Sequence, residues 1–89
     1  MPNLFVSYDL IAPNKNYAAV EAAIKQCGLA VRVLESVWYV KSTSDLESVR
    51  NHIAQFIDGN DKLLVINASS ACGQNIGSPW DIVVNTWSK

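Results

Sequence analysis

Asn3-Leu4-Phe5-Val6-Ser7-Tyr8-Asp9-Leu10 is an apolar run that ends in an acid. A strand sends alternate side chains to opposite faces. Leu4, Val6 and Tyr8 therefore share one face, and Phe5, Ser7 and Asp9 share the other. Asp9 sits where the strand runs out, a position that can hold chemistry on a rigid element. The rest of the chain reads as what covers the two faces of this strand.

Next comes a turn-rich connector, Ile11-Ala12-Pro13-Asn14-Lys15-Asn16. Pro13 disfavours a helical Ala12, and Asn14 or Asn16 can cap the helix that follows. Tyr17, Val20, Ala23, Ile24 and Cys27 recur at helical spacing and form one apolar stripe. Gly28 is a natural C-terminal stop. From Leu29 to Lys41 the residues are strong strand formers, interrupted only by Glu35-Ser36. A tight turn or bulge there gives strands over Ala30–Leu34 and Val37–Lys41, with one long bent strand as the alternative. Ser44 and Glu47 are spaced as a capping box ahead of the stripe Leu46, Val49, Ile53, Phe56 and Ile57. His52 falls beside that stripe and reads as a solvated flank residue. The turn cluster Asp58-Gly59-Asn60-Asp61 leads into Lys62-Leu63-Leu64-Val65-Ile66-Asn67, a strand apolar on both faces. One face meets the helices. The other must meet the C-terminal segment or a second subunit. Residues 70–78 form a loop. Ser78-Pro79-Trp80-Asp81 looks like a further helix start, with Ser78 as cap and Pro79 in the first turn. A short C-terminal helix over residues 79–89 is the preferred reading, against the strand preference of Ile82-Val83-Val84.

The chain has 89 residues, 49% of them hydrophobic and 17% charged, with a net charge of −1. That length fits one domain, and the composition is globular. So lean a charge count on a small chain predicts apolar area covered by a partner, so a homodimer is expected. The basic residues are scattered among acids, which disfavours RNA or DNA as a partner on charge alone. No apolar run approaches a membrane span, and no signal peptide is read at the N-terminus. The two cysteines, Cys27 and Cys72, match no metal spacing and read as reduced cytosolic thiols, so a cytoplasmic location is expected.

The element order is β-α-β-β-α-β plus a tail. It predicts an α+β, ferredoxin-like fold: a four-stranded antiparallel sheet with two helices on one face. Residues 1–69 form that core, and residues 79–89 pack on the sheet or at a dimer seam. Phe5, Trp38, Trp80 and Trp87 are the expected cover for the open sheet face or the seam.

Three stretches resemble the small CRISPR-associated endoribonuclease-like family, whose members form the smaller subunit of the spacer-acquisition complex. Val6-Ser7-Tyr8-Asp9-Leu10 is similar to its strand-ending Tyr-Asp-apolar motif. Arg32-Val33-Leu34-Glu35-Ser36-Val37-Trp38 is similar to its Arg-x-x-x-Ser-Val-aromatic stretch. Asp61-Lys62-Leu63-Leu64-Val65 is similar to its Asp-x-apolar final core strand. The likeness spans roughly residues 3 to 67. It implies a ferredoxin-like homodimer in which the aspartate matched by Asp9 comes from both subunits and can hold Mg²⁺ at the seam. Some members cut RNA or DNA, and others act only as a scaffold. Stand-alone bacterial proteins labelled SinR-like, and toxin–antitoxin ribonucleases such as virulence-associated protein D, also look similar. This chain departs from the CRISPR pattern after Asp9. The basic connector of those members is replaced by Leu10-Ile11-Ala12-Pro13-Asn14 with a lone Lys15.

Two readings of function follow. In the first, the chain is a stand-alone, non-catalytic interaction module, a homodimer that binds a protein or nucleic-acid partner. Low charge, two-faced apolar strands and the tail tryptophans favour it. In the second, it is a Mg²⁺-dependent endoribonuclease or DNase. Asp9 from both subunits would hold the ion, which would polarise the phosphate and acidify a bound water, with Tyr8 and Ser36 as neighbours.

Overall fold

Alternation along the first strand decides which residues become core. The computed structural model describes residues 1–11 and 16–89. Its elements run β1 (Asn3–Asp9), α1 (Tyr17–Lys25), β2 (Gly28–Leu34), β3 (Val37–Ser42), α2 (Leu46–Ala54), β4 (Lys62–Asn67) and α3 (Ser78–Thr86). The readings that rest on Ala12, Pro13, Asn14 and Lys15 lie outside the described residues. The four strands form one sheet in the order β2-β3-β1-β4. Every pairing is antiparallel. This is the α+β ferredoxin-like arrangement, with a short C-terminal helix added. No described helix is long and apolar enough to cross a membrane.

Leu4, Val6 and Tyr8 are buried with Val20, Ala23 and Ile24 of α1, Val49 and Ile53 of α2, and Trp38 and Val40 of β3. This is the core between the sheet and its two helices. Burial of apolar side chains of this kind is the main favourable term in folding. Cys27 joins it, and burial pushes its thiol pKa up. Asn16 caps α1 by accepting the Ala19 N–H.

The cap of α2 falls one residue later than the Ser44–Glu47 spacing predicts. Asp45 is the N-cap, and its carboxylate accepts the Ser48 N–H at 2.9 Å. Ser44 is instead held in an exchange with Ser42, whose hydroxyl accepts the Ser44 N–H and donates to the Ser44 carbonyl. The helix ends at Ala54, so Phe56 lies past it and is 41% exposed. Likewise α3 opens from Gly77 with no side-chain cap, so Ser78 is its first residue and not its cap. Gly28 begins β2 with φ +151, and a Cβ there would stand 2.1 Å from the Lys41 carbonyl oxygen. Only glycine allows the two strands so close at that point.

The second sheet face is half covered. α3 lies over β2 and β3, burying Val83 against Val33 and Tyr39, with Phe5, Val31, Val37, Trp80 and Trp87 around them. Tyr39 is fully buried. Its ring stacks on Trp87 with centroids 5.8 Å apart and tilts against Phe5 at 5.7 Å. A polar knot ties the end of α3 to the sheet. The Tyr39 hydroxyl donates to Asn3 Oδ1 at 2.5 Å, and Lys41 Nζ donates to the same oxygen at 3.2 Å. Lys41 Nζ at 2.7 Å and Asn3 Nδ2 at 3.0 Å both donate to the Trp87 carbonyl. A cation on the last carbonyls of a helix also suits the negative end of its dipole.

Candidate functional site

The two edges of the sheet differ in kind. An edge strand offers a row of unpaired N–H and C=O groups, and proteins blunt such rows with charge, bulges or covering elements. β2 is blunted in all three ways. Its pairing is irregular between Arg32 and Leu34, Arg32 is ion-paired with Glu21, and both α1 and α3 pack against it. β4 is covered by α2 on its helix face, but between Leu63 and Ile66 it carries neither charge nor bulge. It is apolar on both faces, and its one charge is Lys62 at its start. Leu64 is 57% and Ile66 45% exposed.

The phase of the β4 backbone follows from one bond. Ala68 N–H donates to the Asn3 carbonyl at 2.9 Å. Inward and outward groups alternate along an antiparallel strand. Ile66, Leu64 and Lys62 therefore turn their amides toward β1, opposite Phe5, Ser7 and Asp9. Leu63, Val65 and Asn67 turn theirs toward the open edge. On the helix side of that edge runs a groove of about 250 Å³ lined by Leu46, Glu47, Arg50, Leu63, Leu64 and Val65. Glu47 and Arg50 lie one helical turn apart, both exposed. Arg50 Nε donates to Asn51 Oδ1.

The residues predicted for chemistry are not gathered. Asp9 is exposed at the end of β1, and its cross-strand neighbour is Lys62. The two line a shallow notch of about 150 Å³ with Ser7, Tyr8, Leu63 and Leu64. The Tyr8 ring points the other way, into the helix-side core, where its hydroxyl accepts the Trp38 indole N–H at 3.2 Å. Ser36 meets Tyr8 only through its carbonyl, which accepts the Tyr8 N–H. Among the described residues no three His, Cys, Asp or Glu side chains are grouped to hold a metal ion. Within one chain Asp9 is the one carboxylate lining this notch, so a Mg²⁺ ion there would need the second subunit's aspartate or water to complete its oxygen ligands.

Trp38 corrects a further expectation. It pairs in register with Val6, so it shares the helix face, is 4% exposed, and covers neither the open face nor a seam. Lys25 and Arg32 lie over its ring at 5.7 and 5.3 Å. Phe5, Trp80 and Trp87 do lie on the second face, beneath, within and at the C-terminal end of α3. His52 contacts Gln26 Oε1 through Nε2 at 2.7 Å and the Phe56 ring edge-on. Asp61, which spacing alone does not single out, ties the ends of two connections. Its carboxylate oxygens accept the Ile11 and Asp58 N–H groups at 2.6 and 2.9 Å.

No protein-family model, curated protein or solved structure matches this chain.

Proposed function

We propose that the chain is a non-catalytic interaction module that works as a homodimer, a stand-alone relative of the small CRISPR-associated family that three of its stretches resemble. One observation carries the reading. On the second face α3 covers β2, β3 and Phe5 of β1, whereas β4 keeps Leu64 and Ile66 exposed. The C-terminal segment was one of two expected covers for that face of β4. It lies elsewhere, and a second subunit is the other. Burying both side chains favours association by the hydrophobic effect, at about 25 cal/mol per Å² before the costs of association.

Light scattering over a concentration series tests the module. It is expected to give twice the 9.8 kDa chain mass, and 9.8 kDa at every concentration overturns it. Incubation of RNA and DNA with Mg²⁺ or Mn²⁺ tests the catalytic alternative. No cleavage is expected. Cleavage by the wild type that vanishes in Asp9→Asn establishes the nuclease instead.

A further inference from the structure

Resting on the dimer reading, we infer that the seam is the β4 edge itself. Two copies join their sheets about a twofold axis at Val65. The outward amides set the register. Val65 pairs with Val65 of the partner subunit, and Leu63 with Asn67 of the partner subunit, each pair exchanging two hydrogen bonds. Leu64 then opposes Ile66 of the partner subunit on the second face, so the two exposed apolar side chains of the strand cover each other. A seam of this kind is isologous: one patch serves both copies.

The occupant is a second copy and not an unrelated strand because the rim is self-complementary in charge. Glu47 and Arg50 line the groove beside Val65. The twofold sets Glu47 against Arg50 of the partner subunit, and Arg50 against Glu47 of the partner subunit. Edge pairing also separates the two aspartates. Asp9 is level with Lys62, which in this register opposes Ala68 of the partner subunit. The two Asp9 carboxylates then stand about 20 Å apart along the strands, at roughly 3.3 Å per residue. A seam at β4 and a metal shared by two Asp9 exclude each other.

The test uses the full chain. Val65→Pro removes an N–H that bonds nothing among the described residues of the monomer, and proline is tolerated on the outer side of an edge strand. The variant should keep its circular dichroism with a modest fall in unfolding midpoint, since the Val65 side chain packs on the helix-side core, while the dimer dissociation constant rises roughly 30-fold or more. Glu47→Arg leaves the strand untouched. It should weaken the dimer roughly five-fold at low salt, and adding Arg50→Glu should restore it. A wild type that dimerises while Val65→Pro dimerises equally well overturns the edge seam and leaves the dimer reading standing. So does a Glu47→Arg/Arg50→Glu chain no tighter than Glu47→Arg. A monomeric wild type overturns the dimer reading itself.

Discussion

Tyr39 joins the sheet to α3, and its two parts make separable contributions. The ring is fully buried between Phe5 and Trp87, and the hydroxyl donates to Asn3 Oδ1. Tyr39→Phe keeps the ring and removes one donor. Asn3 Oδ1 still accepts from Lys41, so no buried acceptor is orphaned and the loss is about 1 kcal/mol. Tyr39→Ala also opens a cavity under α3 and removes both ring pairs, a loss of about 3–5 kcal/mol by analogy with large aromatic truncations. A chain of this size is stable by roughly 4–13 kcal/mol, so Tyr39→Ala should be marginally folded and Tyr39→Phe comfortably so. Urea titration followed by tryptophan fluorescence gives both values. A Tyr39→Phe cost above about 3 kcal/mol, or a Tyr39→Ala cost below about 1.5 kcal/mol, refutes the packing of α3 described above. Alkaline titration adds an independent check. Burial raises the Tyr39 pKa, so the native state favours the neutral phenol. Its contribution is complete below the ordinary tyrosine range and is lost as pH rises through the native value. The alkaline fall in stability should be shallower in Tyr39→Phe.

Gly28→Ala sets a methyl against the Lys41 carbonyl at a positive φ and should cost upwards of about 1 kcal/mol in urea titration, with loss of the β2–β3 pairing at its open end. The two hydrogen bonds that Asp45 receives from Ser48, side chain before backbone, hold its carboxyl below the usual carboxylate range. Its capping contribution is therefore complete above that range and lost as pH falls through the depressed native value. A thermal-melt series in acid should show a steeper decline for wild type than for Asp45→Asn. Cys72 is exposed and Cys27 buried, so a thiol reagent should modify one cysteine in the native protein and both in denaturant.

The fold was legible because its periodicities are unambiguous. Leu4, Val6 and Tyr8 alternate as a strand with one buried face, and the Val49–Ile53 spacing is that of a helix stripe. The breaks at Gly28, Glu35-Ser36 and Asp58-Gly59 fall where the chain turns. The misreadings were local. Ser44 and Asp45 are both good caps, and spacing alone could not show that Ser44 would bond Ser42. The face of Trp38 is not legible from its own strand, because it depends on register with Val6, which one strand's sequence does not contain. The two-faced apolar character of Lys62–Asn67 was visible. What covers its second face was not, because the placement of α3 depends on the pairing of Tyr39, Trp87 and Lys41 across the whole chain. Asp9 was prominent as a strand-ending acid, but its neighbour Lys62 arrives through a pairing between residues more than fifty positions apart.

Amide hydrogen exchange at Val65 tests the edge seam most directly. Its N–H bonds nothing among the described residues of the monomer, whereas the neighbouring Leu64 and Ile66 amides are turned toward β1. The β4 seam predicts slow exchange at Val65 in concentrated protein that becomes fast on dilution, while Leu64 and Ile66 stay slow throughout. Fast exchange at Val65 in a sample that light scattering shows to be dimeric contradicts it.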